Sequence, residues 1–273
     1  MKKLAVIILV LVVGISAFAQ RQGGGFGGFG RGPGNSPCLV PGTRRSWQED
    51  TAAPRNIDRT GFIYARIRYN VQPYWRGDIP WHHDYPDGDA MLPDSLDRLT
   101  TVKTSAESYQ IVDIDSKELF KYPFAYMSEV GYLDLRPSDV KNLREYLDRG
   151  GFLLVDDFRG NELDNSEMEN FIVQLQKLYP GRSFTPIPPS HPIFHIFFDI
   201  DSTKLEAPYM MGNSGPVQFL GLIDDKNRLQ IMVDFNYDIS EYWQALDIGQ
   251  CSIHESGAAV QLGINYVVYA MTH

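Results

Sequence analysis

Basic clusters are missing from this sequence of 273 residues: its 25 lysines and arginines are scattered among 34 acids, for a formal charge of −9. Such a chain repels phosphate backbones, which excludes nucleic acid as a partner. Long apolar runs are also scarce. Leu4 to Val13 is unbroken, but it is shorter than the ~20 residues that a membrane span requires. No later window is long and apolar enough to span. Cysteine is scarcer still, with Cys38 and Cys251 alone, and neither stands at a strand end beside a histidine. No thiol nucleophile is expected, and no internal repeat is visible.

The first apolar run has a context. Met1, Lys2 and Lys3 precede it, and Ser16-Ala17-Phe18-Ala19 supplies small residues where a signal peptidase reads. Residues 1–19 therefore read as a signal peptide cleaved before Gln20, and the chain as periplasmic or secreted, with no transmembrane segment after cleavage. Removing Lys2 and Lys3 takes the formal charge from −9 to −11, which favours solubility rather than defining a partner. In an oxidising compartment the two cysteines either form a disulfide between arm and C-terminal part or stay as separate thiols.

Residues 20–57 hold the run Gly23-Gly24-Gly25-Phe26-Gly27-Gly28-Phe29-Gly30. Glycine at that density cannot repay the entropy of ordering, so a flexible arm is expected. Residues 58–273 are long enough for one α/β domain.

That domain opens with Phe62 to Tyr69, where Ile63, Ala65 and Ile67 share one face and Tyr64, Arg66 and Arg68 the other. A long aromatic loop, 73–89, and a helix near 93–103 follow. Strands are expected at 110–114 and 123–127, and a helix at 136–149 with Pro137 in its first turn and Gly150 past its end. Gly151 to Val155 is a strand running into Asp156-Asp157-Phe158-Arg159. A helix at 166–178, a hairpin of 217–223 with 228–235, and an apolar helix at 257–271 complete the chain. Strands alternating with helices predict a three-layer α/β/α sandwich, with a mostly parallel sheet and a late antiparallel hairpin.

The segments Phe62 to Tyr69, Trp81-His82-His83-Asp84-Tyr85-Pro86, Leu143 to Gly160, His191-Pro192-Ile193-Phe194-His195 and Leu262 to Tyr266 resemble, in this order, the bacterial family called domain of unknown function 4159. The resemblance implies a flavodoxin-like sandwich of the class I glutamine amidotransferase-like group, in agreement with the periodicity. It carries no activity. Amidotransferases place a cysteine at a strand-to-helix elbow; here the strand that looks equivalent ends in Asp156-Asp157, so that route to glutamine hydrolysis is absent.

Polar groups expected at the carboxyl edge of the sheet include catalytic candidates Asp156, Asp157, His83 and His191. Binding candidates are Trp81, His82, Asp84, Glu129, Arg159 and His195. Histidine with carboxylate suits zinc or manganese, though no spacing here is a metal signature; no cofactor is called for, with a divalent metal as the variant. Against these stand plain structural roles. Asp157 could neutralise Arg66 or Arg68, His191 could cap a turn, and His195 could be a satisfied core residue. Tyr74, Trp75, Trp81 and Tyr85 suit stacking on sugar or peptide, or simply fasten their loop. Tyr237, Asp238, Glu241 and Trp243 form a second cluster facing the first. The leading reading is an exported, non-catalytic module with a degenerate amidotransferase-like cleft for a glycan, peptide or envelope protein. The alternative is a hydrolase on envelope carbohydrate or peptide, using these Asp and His groups with or without a metal.

Overall fold

A computed structural model describes residues 38, 57–75, 77, 79–208 and 214–273. The expected signal peptide and nearly all of the expected glycine-rich arm lie outside the described residues. Seven strands form one sheet: β1 (Tyr64–Arg68), β2 (Tyr109–Asp113), β3 (Phe124–Ser128), β4 (Phe152–Asp156), β5 (Thr185–Pro186), β6 (Gln218–Ile223) and β7 (Leu229–Phe235). Their spatial order is β2-β1-β3-β4-β7-β6-β5. Strands β2, β1, β3, β4 and β7 run parallel, whereas β6 pairs antiparallel with β7 and β5 with β6. The order reverses between β1 and β3, and an open α/β sheet binds its ligands in the crevice at the carboxyl ends beside such a reversal.

Five helices cover the sheet: α1 (Asp87–Leu99), α2 (Pro137–Asp148), α3 (Ser166–Leu178), α4 (Ile239–Gln244) and α5 (Ile253–Thr272). Alternation along the strands decides which face each residue serves. Tyr64, Phe124, Tyr126, Phe152 and Leu154 join a core with Leu92 and Leu96 of α1, Trp243 of α4 and Leu262 and Tyr266 of α5. Ile63, Ala65, Ile67, Leu153 and Val155 join the other core, with Leu143 and Leu147 of α2 and Phe171 and Leu175 of α3. Two cores on the two faces of one sheet make the expected three-layer sandwich.

The cationic face expected of β1 is a correction. Arg66 is fully buried under α1, where its Nε and Nη2 donate to Asp89, and Arg68 pairs with Asp113 at the exposed end. Neither arginine meets Asp157. Helix α1 starts at Asp87 rather than near Pro93, which sits inside the helix, and this earlier start carries Asp89 to Arg66. The other expected elements fall close to expectation, down to the hairpin turn in which Asp224 accepts from the N–H groups of Lys226 and Arg228, while β5 and α4 are additions that the periodicity did not mark. Helix α5 is buried along most of its length, yet no described helix is long and apolar enough to cross a membrane.

Cys38 and Cys251 form a disulfide. The Cys38 N–H also donates to the carbonyl of Pro208 at 3.0 Å.

Candidate functional site

Strands β3, β4 and β7 end alike. After each, the chain turns through a left-handed residue with a polar side chain: Glu129 (φ 51°), Asp157 (φ 55°) and Asn236 (φ 62°). Asp84 (φ 60°), in the segment after β1, and Asp238 (φ 57°), ahead of α4, do the same. Residues other than glycine adopt this region rarely, and such strain gathers where surrounding structure holds a functional geometry. Here the surroundings are visible. The Tyr69 hydroxyl lies 2.7 Å from the carbonyl of Ser128 and 2.8 Å from that of Glu129, and the Glu129 N–H donates to the Asp156 carbonyl.

These turns aim acids at one place. His83 Nδ1 lies 3.2 Å from Asp157 Oδ2 and 3.3 Å from Glu129 Oε1. Arg159 Nη2 stands 3.3 Å from Asp157 Oδ1 and 3.4 Å from Glu129 Oε1. Ser128 Oγ donates to Asp157 Oδ2 at 3.2 Å. The donor atoms of His83, Glu129 and Asp157 lie within 4.8 Å of one another, as do those of Asp84, Asp157 and Asp238. Either group could hold a cation, and Asp157 belongs to both.

Burial sets the electrostatics. It pushes the Glu129 carboxyl up to about 7, aided by the charge of Asp157. Asp84 rises to about 6 and Asp156 to about 7 for the same two reasons in the same order. Arg159 works against its own burial, but Asp157 and Glu129 hold it charged. Asp156 faces inward from β4, where the N–H groups of Ile239 and Ser240 donate to it at 3.0 and 3.1 Å. It thus pins α4 to the sheet. The Ser240 hydroxyl donates in turn to Asp84.

Of the residues expected at the site, His83, Asp84, Glu129, Asp157 and Arg159 meet there, with Asp156 directly behind. Trp81 and His82 are buried in the loop: Trp81 lies under the Arg68 guanidinium and meets the His82 ring edge-on. The structure does not bring the remaining histidines to the cluster. His191 accepts from the Ile193 N–H and packs on Tyr269, whose hydroxyl accepts from Leu229 at the amino end of β7. Six strand residues at ~3.3 Å each put that end about 20 Å from the carboxyl edge. His195 is exposed and pairs with Asp199, so it is not the core histidine that its apolar neighbours suggested. Of the expected second cluster only Asp238 joins Asp84 and Asp157; Tyr237 and Trp243 are buried in the core rather than facing a cleft. Ser128 ends β3 beside Glu129, as the sequence suggests, whereas Tyr69 and Ser240 went unnoticed at the site, since a lone hydroxyl gives no periodic signal.

A cavity of about 20 Å³ opens beside Asp157, Arg159, Asn236 and Asp238. A larger one, about 870 Å³, lies at the other end of the strands among Gly61, Val102, Lys103 and Pro123. It touches none of the acids described above, and size alone does not make it the site.

Fold and site together define an α/β sandwich with a histidine–carboxylate cluster at the carboxyl ends of its parallel strands. The chain belongs to the family described as domain of unknown function (DUF4159), whose pattern matches residues 64–271. No curated protein matches the sequence.

Proposed function

We propose that this protein is an exported hydrolase acting on envelope carbohydrate or peptide, with Asp157, Glu129 and His83 as its reacting groups. The observation that carries this reading is their meeting on one imidazole nitrogen, 3.2 and 3.3 Å from the two carboxylates, at the ligand-binding edge of the sheet. A carboxyl held up to about 7 keeps a proton near neutrality, as Glu129 does, and can give it to a leaving group. Asp157 or His83 takes the proton of the attacking water, and Arg159 offers positive charge where an oxyanion develops. The carboxylate oxygens of Glu129 and Asp157 lie within 4.8 Å of each other. That is closer than the ~6.5–9.5 Å between the carboxyl groups of an inverting glycosidase, so on a glycoside Asp157 would attack the sugar directly with water following, whereas on a peptide it would activate the water. An amidotransferase-like relationship is part of this proposal, supported by the strand order β2-β1-β3-β4. Export is supported by the N-terminal apolar run and by the disulfide, which suits an oxidising compartment.

The non-catalytic binding reading is less well supported. Trp81 and His82, which would have supplied stacking and hydrogen bonds, are buried within the fold.

The test is release of reducing sugars or new amines from purified envelope material by the wild type and by Asp157→Asn. Turnover is expected in the wild type and a loss of at least ~100-fold in the variant, with an unchanged unfolding midpoint. A variant as active as the wild type, or an inert wild type, would refute the hydrolase.

A further inference from the structure

His83 Nδ1 is shared between two carboxylates at nearly equal distance, 3.2 Å to Asp157 and 3.3 Å to Glu129. One imidazole N–H serves one acceptor well, so a hydrogen bond accounts for only half of this arrangement. The spacing fits something else. Ligand atoms ~2.1 Å from a tetrahedral ion lie about 3.4 Å apart along each edge. Two edges of the His83–Glu129–Asp157 triangle match that figure, and the third is bounded by 4.8 Å.

We propose that His83 Nδ1, Glu129 Oε1 and Asp157 Oδ2 bind one first-row divalent cation, of the zinc or manganese type. The inference rests on the site reading above and revises the roles in it: with a cation on these three atoms Glu129 would be unprotonated, and the ion would supply the acid in place of that carboxyl.

Three further observations agree. The donor set is mixed, one imidazole with two carboxylates, which favours zinc or manganese over the all-oxygen shells of calcium and magnesium. Arg159 reaches Asp157 through Oδ1 and lies 3.4 Å from Glu129 Oε1, while Asp157 Oδ2 faces His83 and the Ser128 hydroxyl. Three protein ligands are the number of an open, catalytic site rather than the four of a closed structural one. His83 is partly exposed, which gives the ion a way in.

Charge points the same way. Glu129 and Asp157 bring two carboxylates, Asp84 and Asp238 crowd Asp157 from the other side, and Arg159 alone among these residues is permanently cationic. A divalent ion balances this set better than one guanidinium does.

The experiment is calorimetric titration of chelator-stripped protein with zinc and with manganese, alongside elemental analysis. Wild type, His83→Ala, Glu129→Gln, Asp157→Asn and Asp238→Asn would be compared, each checked for native near-UV dichroism. One equivalent per chain is expected in the wild type, with affinity at least ~100-fold lower in the first three variants. If the carboxylate variants fail to fold, His83→Ala decides alone, because that side chain reaches solvent. No binding by the wild type overturns the proposal. So does binding that survives Glu129→Gln and His83→Ala but disappears in Asp238→Asn, which would put the ion among Asp84, Asp157 and Asp238. Turnover by ion-free protein removes the cation and keeps the hydrolase; a bound ion without turnover does the reverse.

Discussion

Arg66 and Asp89 form an ion pair with no solvent access: Nε donates to both carboxylate oxygens at 2.9 and 3.0 Å, and Nη2 to one at 2.6 Å. Nη1 donates to the carbonyl of Trp81, so the same guanidinium ties α1 and the loop holding His83 to strand β1. Removing one partner strands a buried charge. Asp89→Ala should cost about 3–5 kcal/mol, whereas Arg66→Met combined with Asp89→Leu should recover most of the loss. Chemical denaturation of the three proteins checks this, and a single variant losing under ~1 kcal/mol would contradict it.

The Tyr69 hydroxyl lies against two buried carbonyls, those of Ser128 and Glu129, in the turn that carries Glu129. Tyr69→Phe leaves both without this donor. A loss of about 1–3 kcal/mol is expected, with weaker cation binding, because the left-handed turn loses its support. A variant matching the wild type in both measurements would separate Tyr69 from the site.

Asp234 in β7 is fully buried, and burial holds its carboxyl well above the usual carboxylate range despite the Tyr266 hydroxyl 2.9 Å away. The folded state therefore keeps a proton that the unfolded chain releases near pH ~4. This contribution to stability is complete below that pH and is lost as pH rises toward the folded value. Against Asp234→Asn, which does not titrate, the wild type should lose stability as pH climbs from ~4 through neutrality. Parallel unfolding curves over that range would show that Asp234 is ionised in the fold.

A Cβ built on Gly263 of α5 would stand 2.6 Å from the Trp243 ring and 2.8 Å from Leu92. Helices α1, α4 and α5 meet at that point. Gly263→Ala should cost about 1–3 kcal/mol by overpacking, read as a lower melting temperature. Unchanged melting would mean that the indole moves aside freely.

Much of this molecule was legible in its sequence. The two-residue period placed Ile63, Ala65 and Ile67 on one face, and Ser166 to Leu178 is a helix between those same residues. Asp156-Asp157 at the end of an apolar run marked the site, because a buried parallel strand gives way to polar residues only at its ends. Partner choice was not legible. Nothing local tells Arg66 to choose Asp89 over Asp157; the choice follows from where α1 crosses β1. His191 and His195 have the residue type of a site, but Pro192 sets them in a short 3-10 turn against α5, away from the acids. The hydroxyls of Tyr69 and Ser240 act through geometry alone, and periodicity carries none of it.

The disulfide has a consequence for the chain as a topological object. By joining Cys38 to Cys251, it closes a covalent ring through which nearly every strand and helix is threaded, with a sequence separation of 213. Cutting such a ring once opens it without dividing it. A protease that nicks the exposed hairpin at Lys226 would leave a molecule of undiminished mass on a non-reducing gel, and only a reductant would release two pieces. One cut would not cost this protein half of its sheet.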